Sequence, residues 1–297
     1  MRPPESELLR GSAGRVRGLA EAAGFALLRG AGLLVVAVLV LIVLDIWLRG
    51  SGVLSWEFLS QPPRRGMTEG GIYPAIVGTL LVSLITMIFA LPVGIAAAIY
   101  LVEYAPQGRL TRVIRLCIRN LSGVPSIVYG LFGVALFVSL MRLGASLLSS
   151  GLTLGLLTLP VTITTSEEAL RSVPRSFREG ALALGATRWQ AVRTNVLPYA
   201  LPGMLTGAIL GLARAAGETA PILFTGVAFF LPFLPRSPFD PFMALPYHLY
   251  ILATQHYAVA QVRPLAYGTA LVLIALVLLL NASAIALRYH FRRRLRQ

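Results

Sequence analysis

Six stretches of this chain are so long and so poor in charge that water cannot be their solvent. They run Leu27 to Leu48, Ala75 to Tyr100, Leu121 to Leu140, Ser146 to Thr165, Leu201 to Phe230 and Ala266 to Leu287. A helix rises about 1.5 Å per residue and the hydrocarbon core of a bilayer is about 30 Å thick, so roughly 20 apolar residues cross it. Each stretch meets that requirement, and none alternates apolar with polar residues as a membrane-barrel strand does. The fourth is rich in Thr and Gly, and the fifth is long enough to contain a kink. Composition agrees: 56% of the 297 residues are hydrophobic and 13% are charged, less charge than a water-soluble surface carries. The predicted fold is an all-α polytopic membrane protein with six transmembrane helices. Residues 1–26 read as an N-terminal tail, 27–48 as the first span, 75–287 as the main membrane domain and 288–297 as a basic tail.

Charge orients the bundle. All 26 basic residues are arginine, and the net charge is +14. Such a balance suits nucleic-acid binding when it forms one patch, but here the arginines are dispersed between apolar runs. Nineteen lie in the N-terminal tail, the second-to-third and fourth-to-fifth connections, and the C-terminal tail. Six lie in the other connections, and Arg214 falls inside the fifth span. Positive charge accumulates on the cytoplasmic side, so an even number of spans with both termini cytoplasmic is expected.

Several chemistries are excluded. Cys117 is alone, so neither an intramolecular disulfide nor a cysteine metal cage can form. His248 and His256 lie eight apart with no carboxylate motif beside them, and no metal site is expected. No Gly-rich Walker loop is present, so ATP should not bind this chain, and no nucleophile elbow or zinc-protease signature occurs. The first apolar run is too long for a signal peptide and lacks a small-residue cleavage site. On the outer side, Leu245 to His256 reads as a short interfacial helix. Gly123, Pro125 and Ser126 are small residues suited to close helix packing, and Asp45 with Arg49 reads as an interfacial i, i+4 pair.

The fourth-to-fifth connection reads SEEALRSVPRSFREGALALGATRWQAVRTNVLP. Pro174 suits the first turn of a helix, where its missing N–H costs nothing. Phe177, Ala181 and Leu184 follow at i, i+4 and i+7 and make one apolar face. Gly185 offers the backbone freedom of a helix end, and Thr187 with Gln190 is a capping box that opens a second helix. Two short helices meeting at Gly185 are expected, either folded back on their own bundle or offered to a partner.

Within this loop Glu179, Gly185, Leu197 and Pro198 match the E-x-x-x-x-x-G and distal L-P spacing of the EAA loop of ABC type-1 importer permeases. Asn195 stands where that family often has an aliphatic residue, and Gly180 where it has Ala. The runs ARAAGETAPILFTG and GVPSIVYGLFG, from Gly123 to Gly133, resemble the PstA family of phosphate-importer permeases. The resemblance covers Tyr73 to Arg288. It implies an N-terminal helix followed by a five-helix permease core in the bacterial inner membrane. It also implies a heterodimer with a PstC-type permease, a PstB-type ATPase dimer that binds the ATP, and a PstS-type phosphate-binding protein. The loop residues Phe177, Glu179, Ala181, Gly185, Leu197 and Pro198 would couple the bundle to the ATPase. An ABC permease for a different solute, or an ATPase-independent channel or carrier, is the competing reading.

Arg214 and Glu218 stand four apart in the fifth span, with Gly217, Thr219 and Pro221 beside them. Unpaired, each charge costs about 2.5–3.5 kcal/mol at the bilayer centre on insertion scales, so both must face protein, each other or water. A packing ion pair and a place on an anion path are both consistent with that. On the second reading Arg214 presents its planar fork to phosphate oxygens and Glu218 holds it in place. Pro221 is expected to kink the helix.

Overall fold

The computed structural model describes residues 5–294. Helix α1 runs Glu5–Gly50. Residues 5–26, read above as an N-terminal tail, therefore continue the first span as helix, while residues 1–4, and 295–297 of the basic tail, lie outside the described residues. After α1 come a short helix α2 (Trp56–Ser60) and a two-stranded ribbon, β1 (Pro63–Arg64) against β2 (Glu69–Gly70). Helix α3 (Tyr73–Ile99) ends in a π turn at Tyr100–Tyr104. Then follow α4 (Arg109–Leu121), α5 (Ser126–Gly133) with a π turn at Val134–Leu140, and α6 (Leu147–Ser172). Two short helices, α7 (Arg175–Ala183) and α8 (Arg188–Ala191), lead through a π turn into α9 (Leu197–Gly217). The chain closes with α10 (Ala220–Thr225), α11 (Leu245–Tyr250) and α12 (Val259–Arg294).

Among the described residues, five helices are long and apolar enough to cross a membrane, and a sixth crossing is available as a bent pair. That pair corrects the third predicted span. Its limbs, Arg109–Leu121 and Ser126–Leu140, meet at 103°, so Leu121 ends one limb and the apolar run turns away at Pro125. Proline at this position disfavours helical backbone at Val124, and the chain bends there. A short helix is present where one is expected from Leu245, as α11 with its π turn Ile251–Gln255.

Helix α6 is the centre of the bundle, clasped between α3 and α9. Apolar solvent gives no hydrophobic drive between spanning helices, so close van der Waals fit must hold them. A Cβ added at Gly94 would sit 2.6 Å from Thr162, and one at Gly207 would overlap Thr165. Two threonine hydroxyls of α6 are satisfied inside their own helix, Thr153 donating to the Ser149 carbonyl at 2.7 Å and Thr162 to that of Thr158 at 3.1 Å. Helix α1 stays outside this core. It meets α12 where Gly50 lies against the Tyr267 backbone, and Arg49 pairs with Asp45 at 2.7 Å while stacking over the Tyr267 ring.

Candidate translocation site and coupling loop

The loop between α6 and α9 is built as its sequence dictates. Pro174 stands one residue earlier than expected, as the N-cap of α7. At the other end Ala186 N–H donates to the Ala181 carbonyl and Gly185 N–H to that of Leu182, at 3.1 and 3.0 Å. This is the Schellman closure of a helix. It puts Gly185 at φ +84° with nothing within 4 Å of a would-be Cβ, so backbone conformation alone requires glycine there. Thr187 and Gln190 complete the capping box, at 3.3 and 2.8 Å.

The apolar face of α7 divides. Phe177 packs edge-on against Tyr199, ring centroids 4.5 Å apart, and Ala181 is buried. Leu184 is 91% exposed at the tip, near exposed Leu182 and Trp189. One part of the loop is thus anchored on its own bundle and the other projects, which corrects the reading of a single continuous face. Glu179 is exposed. Leu197 and Pro198 open α9, and Leu197 packs in the cluster around Val196 and Met204.

What fixes the loop in place is a pair that sequence reasoning missed. Arg178 grips Glu103 in the π turn after α3, through Nη2 at 2.7 Å and Nε at 3.0 and 3.2 Å to the two carboxylate oxygens. The same guanidinium donates to the carbonyls of Leu170 and Val173 at 2.8 and 2.9 Å. These side chains are only 20% and 11% exposed. Glu103 and Arg178 are 75 residues apart, and no local spacing relates them.

The membrane pair looks different. Arg214 lies in the last turn of α9, which stops at Gly217. Glu218 is the cap, with extended backbone at φ −75°, ψ 134°, so the four-residue spacing of the two charges is not carried by continuous helix. Nor does Pro221 make the break. It sits in the first turn of α10, where proline is tolerated, and the chain departs from helix just before it. Thr219 is the N-cap of α10, and the site of Gly217 opens onto unfilled space. Arg214 Nε reaches Glu218 Oε1 at 3.4 Å, in a single contact, with side-chain exposures of 38% and 18%. Charge-assisted bonds of full strength are nearer 2.7–2.9 Å. Beside Arg178 this is a loose pair, and most of the Arg214 fork is unspent. Across the break, Gly130 brings α5 against α10: a Cβ there would lie 3.0 Å from Pro221 Cα.

Residues 90–297 match the family model described as the binding-protein-dependent transport system inner membrane component. The chain belongs to this family. A probable ABC transporter permease, YqgI of Bacillus subtilis (strain 168), is 35% identical over 262 residues, 84% of this chain and 89% of its own length. The phosphate transport system permease protein PstA 1 of Mycobacterium tuberculosis (strain ATCC 25618 / H37Rv) is 37% identical over 230 residues, 76% of this chain and 72% of its own. In fold, the permease is similar to the bacterial alginate ABC transporter solved with its pentasaccharide-bound periplasmic protein. The TM-score is 0.66 at 15% identity, covering 91% of this chain and 94% of that one. The permease is therefore an inner-membrane component of a binding-protein-dependent ABC transporter, a transporter subunit rather than an enzyme, working with a separate ATPase and a binding protein.

Proposed function

We propose that this permease forms half of the translocation path of an ATP-driven inorganic phosphate importer. The observation that carries the reading is Arg214, a weakly held guanidinium at an interruption of helix α9. Irregular backbone at membrane depth is tolerated where it is buried in protein or lines a water-filled passage, and an arginine fork suits phosphate oxygens. The likeness to a protein named as a phosphate transport permease supports the choice of solute. A PstC-type permease completes the path, a PstS-type protein delivers phosphate at the α11 side, and both termini lie in the cytoplasm. A PstB-type ATPase dimer binds the ATP, which this chain does not, and receives Leu184 and Trp189 at the tip of the loop. Phe177, Ala181, Gly185, Leu197 and Pro198 keep that tip in shape, and Glu179 faces the partner. Gly217, Thr219 and Pro221 form the break beside Arg214 and Glu218.

The test is labelled-phosphate uptake in cells lacking this permease, with the other subunits present and membrane levels checked. Wild type restores phosphate-selective uptake that sulfate does not compete away. Arg214→Gln lowers uptake about tenfold or more, the scale of a lost charge-assisted contact. Glu218→Gln lowers it less, because the fork is retained. If wild type restores nothing, phosphate is the wrong solute. Full activity of Arg214→Gln removes Arg214 from the path.

A further inference from the structure

A second concentration of arginine lies away from Arg214, at the end of the bundle that carries the coupling loop. The π turn after α3, helix α4, the end of α6 and helix α7 enclose a cavity of about 1180 Å³. Arg112, Arg115 and Arg119 enter it from α4, and Arg171, Arg175 and Arg178 from the opposite wall. The spacing on α4 is i, i+3, i+7, so its three guanidinium groups share one face.

Counting partners separates structural arginines from free ones. Arg178 is consumed by Glu103. Arg115 and Arg171 share the buried carboxylate of Glu167 at 3.2 and 3.3 Å, and Arg115 also donates to the Leu101 carbonyl. Arg112, Arg119 and Arg175 form no ion pair with any described residue. Even with Glu179 counted, and Glu168 in the adjoining cleft beside Arg115, Arg119 and Arg171, four carboxylates face six guanidinium groups. Like charges gathered in a concave, partly desolvated space repel unless an anion joins them.

The other face of α4 indicates where the cavity opens. Leu110, Val113, Ile114 and Leu121 are all exposed. A helix with a bare apolar face and an arginine face lies at the boundary between acyl chains and headgroups. The mouth of the cavity is thus within reach both of free phosphate in the cytoplasm and of the phosphate of an anionic lipid.

We propose that this cavity is a binding site for an anionic phosphate group, held between Arg112 and Arg119 of α4 and Arg175 of α7. It is separate from the translocated solute and does not depend on what that solute is. An occupant bridges α4 to α7 and so restrains the coupling helix relative to the bundle.

The assembled transporter is purified with wild-type permease, with Arg112→Gln/Arg119→Gln/Arg175→Gln, or with Arg214→Gln. These three cavity arginines make no ion pair within the fold, so the triple variant keeps the Glu103 and Glu167 pairs. In one arm, delipidated complex in maltoside micelles is titrated with labelled inorganic phosphate. In the other, retained phosphatidylglycerol is counted by native mass spectrometry after extraction from nanodiscs containing it. The expected result is one bound phosphate group, in one arm or the other, that the triple variant binds at least about tenfold more weakly and Arg214→Gln binds unchanged. Loss in the first arm assigns free phosphate, and loss in the second assigns a lipid headgroup. If the triple variant equals wild type in both arms, or Arg214→Gln alone removes the bound group, the proposal is overturned.

Discussion

Two arginine–glutamate pairs in this chain share a chemistry and differ in commitment. Arg178 and Glu103 are bidentate, largely buried and backed by two carbonyls, which is how an ion pair looks when it fixes geometry. Removing one partner strands the other, so Arg178→Ala should destabilise the permease by about 3 kcal/mol. Thermal unfolding in detergent measures this, and Arg178→Gln/Glu103→Gln should recover part of the loss. His248 adds a pH response. It lies outside the spanning segments, fully buried in α11, with no hydrogen-bond partner for Nδ1 among the described residues. Burial, and then the charge of His256, push its pKa down from 6.5 to about 4. Between those values the unfolded chain binds the proton and the folded one does not, so stability falls as pH drops from 6.5 towards 4 and levels below. Melting curves across that range should show the decline, and His248→Leu should flatten it. Sequence spacing located Arg214 and Glu218 because they lie four apart. It could not locate Arg178 with Glu103, because only the packing of α7 against the end of α3 brings them together.

Among elements, the coupling loop was the most legible, since capping box, helix-ending glycine and L-P run are all local signals. Ala in place of Gly185 must adopt φ +84° at a cost of about 1–2 kcal/mol, enough to unseat the Schellman turn. Leu184→Ala changes nothing buried. Both variants should weaken association with the ATPase in a pull-down, but only Gly185→Ala should also lower the melting temperature. If Leu184→Ala binds as wild type does, the tip is not the contact. Helix α4 was harder to read. Its arginines at 109, 112, 115 and 119 were counted as charge on a connection, although they recur at helical spacing and could have exposed the amphipathic helix. The break before α10 was hidden for another reason: proline draws attention to itself, yet the residues that leave the helix are Glu218 and Thr219.

At the scale of the whole molecule, the lengths of the apolar runs gave the correct class because the bilayer imposes them. They gave no measure of the 103° bend or of how far α1 stands from the core, since those depend on which small residues meet which neighbours. Orientation has a direct test. In a Cys117→Ser background, Leu184→Cys should react with a membrane-impermeant maleimide in inside-out vesicles and not in right-side-out ones. Labelling in right-side-out vesicles would invert the arginine argument. One continuity also has a mechanical meaning. From Arg188 to Gly217 the chain is a single rod of 30 residues, joining the coupling loop to the turn that holds Arg214. At 1.5 Å per residue the distance from Arg188 to Arg214 is about 39 Å. A tilt of about 5° therefore sweeps its far end through about 3 Å, by the same helix geometry. Glu218 lies just past the end of that rod, on the link to α10, so a tilt of the rod against α10 would change its 3.4 Å contact with Arg214.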